Sequence, residues 1–202
     1  MPAGRRPAPA AAALPREVRI IGGQWKRTRL PVLDKPGLRP TPDRVRETLF
    51  NWLGQDLDGW RCADVFAGTG ALGLEAASRG AAQVLLVEQD PDLVTRLREL
   101  AKRLEAQAVT VERANGLTVL QRLAGSGLDL VFLDPPFDAP VFERALASAR
   151  AALAPSGLVY LEAPRAWGEA ELSRMGLTLQ RHLKAGAVHA HLLAQAQPQA
   201  EP

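Results

Sequence analysis

The chain has 202 residues, 47% of them apolar and 23% charged, with a mean hydropathy of -0.09; this suits one compact core with an appendage and excludes a disordered or membrane-spanning chain. Its single cysteine, Cys62, excludes an internal disulfide or a cysteine-rich zinc site and fits a reducing, cytoplasmic compartment, and the opening stretch carries no export signal. The net charge is only +3, yet residues 1–39 hold nine Lys or Arg against Glu17 and Asp34, so that arm carries +7 and the remainder -4, a lopsidedness that suits a polyanionic partner.

In chain order, residues 1–15 form a Pro/Ala-rich tail expected to be disordered, and residues 196–202 a second tail. Residues 16–54 form a basic extension. Two short extended runs between Val18 and Leu30, separated around Gly22 and Gly23, predict a hairpin with Trp25 interleaved among the charges. Thr41 resembles a helix N-cap, Pro42 takes the first helical position, and Val45, Leu49, Trp52 and Leu53 recur at helical spacing, so a helix is predicted from Pro42 to Gly54. Arg19, Lys26, Arg27, Arg29, Arg39, Arg44 and Arg46 are the candidate nucleic-acid contacts of this extension.

From residue 55 to 195 strands alternate with helices. Strands are predicted at Cys62 to Phe66, Gln83 to Val87, Val109 to Glu112, Leu128 to Leu133 and Gly157 to Leu161. Helices are predicted at Ala71 to Arg79, Pro91 to Leu104, Leu117 to Leu123 and Pro140 to Leu153, with a short one after Trp167. Alternation of this kind gives a parallel sheet covered on both faces. Two apolar runs, Leu177 to Leu183 and Val188 to Leu193, read as an antiparallel hairpin added to one edge. His182, His189 and His191 lie there without a neighbouring carboxylate or cysteine, and no metal site is expected.

Gly68, Gly70 and Gly73 satisfy GxGxxG where a buried strand turns into a helix, a pattern shared by nicotinamide and S-adenosylmethionine sites. Glu88, which closes the next strand, suits the ribose hydroxyls of either. Asp64 discriminates: it lies in the carboxyl half of the first strand, where a carboxylate faces the loop, repels a pyrophosphate and attracts an ammonium and a sulfonium. It therefore favours the methyl donor. Phe66, Ala67, Gln89, Asn115 and Gly116 complete the expected cradle, with Asn115 placed to meet the adenine edge.

The run Asp134, Pro135, Pro136, Phe137 follows a strongly apolar strand, at the carboxyl end where open α/β folds bind ligands. An exocyclic base amine is a poor nucleophile because its lone pair is delocalised into the ring. The Asp134 carboxylate and the Pro135 carbonyl offer two acceptors for its N–H groups, and Phe137 offers a flat face for the base. A base drawn from a stacked structure has to be flipped out to reach them.

These segments, together with ArgIleIleGlyGly (Arg19 to Gly23), the stretch from Arg39 to Leu53, that from Asp64 to Gly80, and TyrLeuGlu (Tyr160 to Glu162), resemble the RsmD-type methyltransferases. The resemblance implies a class I methyltransferase fold: an α/β, Rossmann-like, seven-stranded and mostly parallel sheet with a C-terminal antiparallel hairpin and a small N-terminal extension. It also implies S-adenosylmethionine as cofactor and the N2 amine of a guanine in 16S rRNA as target, within an assembling 30S subunit. Asn115 stands where that family usually has an acid. A DNA adenine or cytosine amino-methyltransferase, an NAD-dependent oxidoreductase and a non-catalytic nucleic-acid-binding module are the competing readings.

Overall fold

The computed structural model describes residues 17–35, 38, 40–137 and 140–196; the first predicted tail, the second from residue 197 on, and Arg39 lie outside them. Nine strands and six helices follow in the order β1 (Glu17–Arg19), β2 (Arg29–Pro31), α1 (Asp43–Trp52), β3 (Arg61–Asp64), α2 (Ala71–Ser78), β4 (Gln83–Glu88), α3 (Pro91–Arg103), β5 (Val109–Arg113), α4 (Gly116–Arg122), β6 (Leu128–Leu133), α5 (Phe142–Ala152), β7 (Leu153–Ala163), α6 (Glu169–Arg174), β8 (Leu177–Ala185) and β9 (Val188–Gln195) among the described residues. Strands β3 to β9 form one sheet ordered β5-β4-β3-β6-β7-β9-β8. β3 through β7 are parallel, and β9 returns antiparallel between β7 and β8. Chain order reverses between β3 and β6, so the crevice at that switch point is where the fold places a ligand.

Side-chain alternation divides the core. Cys62, Leu130, Phe132 and Tyr160 pack toward α1, α2 and α3, whereas Ala63, Val131, Leu133 and Leu161 pack toward α4, α5 and α6. Phe132 bridges the first face, with ring centroids 6.4 Å from Phe50 and 6.2 Å from Tyr160, edge and tilted arrangements that aromatic quadrupoles favour.

The extension has no core of its own. Val18, Ile20 and Leu30 join the cluster of α1 and α2, each fully buried side chain contributing about 1.5–3 kcal/mol. A two-stranded hairpin is unstable alone, and this one is also pinned by hydrogen bonds. Glu75 of α2 accepts the backbone N–H of Ile21 and of Gly22, both at 2.7 Å, and Ser78 accepts the N–H of Trp25 at 2.9 Å.

Four expectations need correction. β3 ends at Asp64, two residues short of the predicted Phe66. Thr41 does not cap α1: the helix begins at Asp43 after Pro42 without a side-chain cap, and the Thr41 hydroxyl donates instead to Glu162. β7 starts at Leu153 rather than Gly157, because Leu153 pairs with Leu128 before a register shift carries the chain through Pro155 to the Leu130–Leu158 pair. Finally, α5 begins two residues later than predicted, at Phe142. None of the described helices is long and apolar enough to cross a membrane.

Candidate active site at the carboxyl rim of the sheet

β3 delivers Asp64 to the rim and the chain then turns through Gly68 and Gly70 into α2. Gly70 is left-handed at φ 77 and immediately precedes the helix, a conformation that side chains resist. Gly73 allows α2 to lie against the strands: a Cβ there would sit 2.2 Å from Leu86 and 3.2 Å from the Asp64 carboxylate. The Gly73 N–H donates to Asp64 Oδ2 at 3.0 Å, while Asp64 Oδ1 is buried without a partner among the described residues. An orphaned buried carboxylate oxygen calls for a donor. Burial pushes the Asp64 carboxyl up to about 7, helped by the negative charges of Glu88 and Glu162 and opposed by backbone N–H groups.

Glu88 ends β4 and ties the glycine loop to it: Oε2 accepts the Gly68 N–H at 2.9 Å, and Oε1 accepts those of Gln89 at 2.7 Å and Asp90 at 2.9 Å. Phe66 and Ala67 line the same loop, the Ala67 N–H donating to the Val87 carbonyl at 3.0 Å. Asn115 caps α4, its Oδ1 accepting the Thr118 N–H at 3.3 Å, so its acceptor oxygen serves the helix first. Gly116 serves packing, since a Cβ there would sit 2.2 Å from the Val65 carbonyl oxygen.

On the other side of β3, β6 ends at Leu133 and presents Asp134, with Pro135 buried and Phe137 38% exposed. Phe137 is the one exposed large hydrophobic side chain among the described residues, the disposition expected of a stacking surface awaiting a flat partner. The Asp134 carboxyl is pushed well above its ordinary range by burial, then by the charges of Glu162 and Asp64.

Glu162 has no role in the sequence reading beyond the TyrLeuGlu match, yet it completes this rim. It lies near the end of β7, 3% exposed, and its Oε1 accepts both the Thr41 hydroxyl at 2.7 Å and the Tyr160 hydroxyl at 2.9 Å. Burial raises its pKa, while those two hydroxyls and the Arg46 charge oppose the rise. The signal available in the sequence was a carboxylate closing an apolar strand next to the one that ends in Asp134. Its hydroxyl partner from the extension, 121 residues away, has no sequence signature.

The basic extension divides into free and committed cations. Lys26, Arg27 and Arg44 are exposed and enter no salt bridge among the described residues. Arg19 pairs with Asp43 at 2.7 Å and Arg29 with Glu17 at 3.2 Å, both at the surface. Arg46 is withdrawn from the proposed nucleic-acid surface: it is 0% exposed and bonded to Asp43 at 2.6 Å and Glu75 at 3.4 Å. The histidines are engaged with the protein, His182 with His189 at 2.9 Å and His191 Nε2 accepting the Trp167 N–H at 3.1 Å.

Chemically, the rim sets a glycine loop and an unsatisfied carboxylate beside a second carboxylate, a carbonyl and an open aromatic face. Such an arrangement can hold a cationic ligand beside a planar amine. Comparison with known proteins places the chain among relatives. The family model described as Conserved hypothetical protein 95 matches residues 18–194. The ribosomal RNA small subunit methyltransferase D of Escherichia coli is 45% identical over 148 residues, 72% of this chain and 74% of that protein. Its namesake in Haemophilus influenzae is 42% identical over 151 residues, 72% of this chain and 78% of that protein. A solved Escherichia coli structure superposes with a TM-score of 0.75 at 40% identity, covering 90% of this chain and 99% of that one.

Proposed function

The chain belongs to the Conserved hypothetical protein 95 family and is a methyltransferase with a class I fold; on that premise we propose that it methylates the exocyclic N2 amine of one guanine in 16S rRNA, with S-adenosylmethionine as donor. The observation that carries the reading is the unpartnered, buried Asp64 oxygen beside the glycine loop, one strand from Asp134 in the sheet order. Carboxylates that raise one another's pKa favour a cation over a pyrophosphate, which argues against the nicotinamide reading. When bound, S-adenosylmethionine supplies an electrophilic methyl group on a positively charged sulfur.

The chain's own residues then have distinct tasks. Asp64 pairs with the ammonium of the donor, and the loop through Phe66, Ala67, Gly68 and Gly70 lies along it. Glu88, with Gln89 beside it, faces the ribose through the lone pairs its backbone bonds leave free. Asp134 and the Pro135 carbonyl accept the two N–H groups of the target amine and turn its lone pair toward the methyl group, Pro136 stiffens the turn, and Phe137 stacks on the base. Asp134 also accepts the proton that the methylated amine sheds. Binding the cation favours the ionised form of Asp134 that this task requires. Lys26, Arg27 and Arg44 meet phosphates, and the work is done in the cytoplasm on an assembling 30S subunit.

The test is transfer of labelled methyl from S-adenosylmethionine to small-subunit particles, free rRNA and duplex DNA, with the product nucleoside identified. N2-methylguanosine from the particles is expected, and Asp134→Ala is expected to abolish it while S-adenosylhomocysteine still binds. Label confined to duplex DNA would point to the DNA amino-methyltransferase reading, and no transfer to any of the three would point to a binding module.

A further inference from the structure

We propose that Glu162 reads the target base, its carboxylate accepting the ring N1–H of the guanine whose N2 amine is held by Asp134. The inference rests on the proposed function and adds the residue that selects the base.

The placement follows from the register. Asp64 pairs with Phe132 across β3 and β6, and Phe132 pairs with Tyr160 across β6 and β7. Paired residues share a face, and so do residues two apart on a strand. Asp134 stands two residues beyond Phe132 and Glu162 two residues beyond Tyr160, which puts both acids on the face of Asp64, at the same height on adjacent strands. Along the rim the order is Glu88 on β4, Asp64 on β3, Asp134 after β6 and Glu162 on β7. With the donor held over β4 and β3 and the reacting amine at Asp134, the rest of the base edge extends toward β7. Neighbouring strands lie about 4.8 Å apart, a separation that two adjacent donors on one base edge can span with ordinary hydrogen bonds.

Glu162 is also prepared to accept. The Thr41 and Tyr160 hydroxyls both donate to Oε1, which fixes the carboxylate plane and leaves Oε2 outside the described hydrogen bonds. At Asp134 every influence favours the proton, whereas at Glu162 the two hydroxyls and the charge of Arg46 oppose burial. The hydroxyls and Arg46 therefore favour the accepting form of Glu162. Tyr160, itself pushed well above its usual range by burial and by Glu162, stays a donor.

The base edge supplies the rest of the argument. Of the exocyclic amines in nucleic-acid bases, that of adenine is flanked by the acceptor N1 and that of cytosine by the acceptor N3. Only guanine sets a ring N–H beside its amine. A carboxylate next to the amine-holding acid matches guanine and confronts the other two with facing lone pairs. A buried group built to receive a substrate N–H rejects analogues lacking it by large factors, because its own acceptor is left unpaired.

The decisive substrate is 2-aminopurine, which keeps the amine and lacks the N1 hydrogen. Small subunits are reconstituted with rRNA carrying guanine or 2-aminopurine at the nucleotide mapped in the methyl-transfer experiment, and kcat/KM is compared. The wild-type protein is expected to prefer guanine by about 100-fold or more. In Glu162→Gln, whose amide can donate to the bare N1, the preference is expected to fall below about tenfold, with S-adenosylhomocysteine affinity unchanged. Thr41→Val, which removes one of the hydroxyls that hold Glu162, gives an intermediate preference and covers the case in which Glu162→Gln fails to fold. Equal loss of activity on both substrates, with the ratio intact, would overturn the role of Glu162 and leave the proposed function standing. If the wild-type protein methylates no guanine, the proposed function itself falls.

Discussion

Asp64 is least stable in the ionised state that its proposed task requires. Its folded pKa of about 7 lies above the ordinary 3.8, so between those values the folded protein holds a proton that the unfolded chain has lost. Stability from this group is therefore present at low pH and disappears as pH rises through 7. Asp64→Asn keeps an acceptor for the Gly73 N–H and removes the charge. It should stabilise the protein at pH 8 by up to about 4 kcal/mol, the linkage limit for this shift, and abolish S-adenosylhomocysteine binding, as thermal unfolding and calorimetry would report. The same linkage predicts that wild-type affinity for S-adenosylhomocysteine, which retains the ammonium, falls below pH 7 by up to tenfold per unit as protons compete for Asp64. Affinity flat from pH 5 to 8 would remove Asp64 from the ammonium site. Residues such as Asp64 and Asp134 were legible because each closes an apolar strand and the chemistry of a strand end is local. Glu162, Thr41 and the committed Arg46 were not, since their meaning lies in partners from distant segments.

α2 is the element on which the site and the extension both depend. Its first residues follow the glycine loop, and its Glu75, fully buried, bonds the backbone of Ile21 and Gly22 and the guanidinium groups of Arg46 and Arg79. One carboxylate thus bridges two cations that are themselves nearly sealed from water. Removing it leaves Arg79 without an anion among the described residues and Arg46 with Asp43 alone, a loss of about 3–5 kcal/mol. Glu75→Ala should lower Tm by roughly 10 °C, at about 2–4 °C per kcal/mol for a domain of this size, and should speed proteolysis between Ile21 and Arg27 before the rest of the chain. Simultaneous cleavage everywhere would mean that the hairpin is not a separate unit of stability. The element pattern itself was legible, because apolar strands bounded by Gly, Pro and Asp alternate with helical periodicity over most of the chain. The exceptions have physical causes. β7 runs through Pro155, which normally marks a break, since the register shift beside it spares the ladder the missing donor. Thr41 has the composition of a cap and a tertiary contact instead.

At the scale of the whole molecule, charge and chemistry are separated. The sheet rim is acidic, which suits a cationic donor and repels phosphate, so an RNA substrate has to be held elsewhere and offer only its base to the rim. On the proposed reading the cations of the extension provide that hold, and their ion pairs rank them. Arg19 and Arg29 already neutralise Asp43 and Glu17, and to meet a phosphate each must leave or share its partner, whereas Lys26, Arg27 and Arg44 have no such engagement among the described residues. Each phosphate contact releases counterions and contributes about 0.7–0.9 to the slope of log affinity against log salt. Neutralising Lys26, Arg27 and Arg44 together should therefore flatten the slope for RNA binding by up to about 2–3 units, while neutralising Arg19 and Arg29 should flatten it less. Equilibrium binding of small-subunit rRNA across a salt series, with both sets of variants, measures the difference directly. An unchanged slope in the Lys26, Arg27 and Arg44 variant would place the RNA on another face.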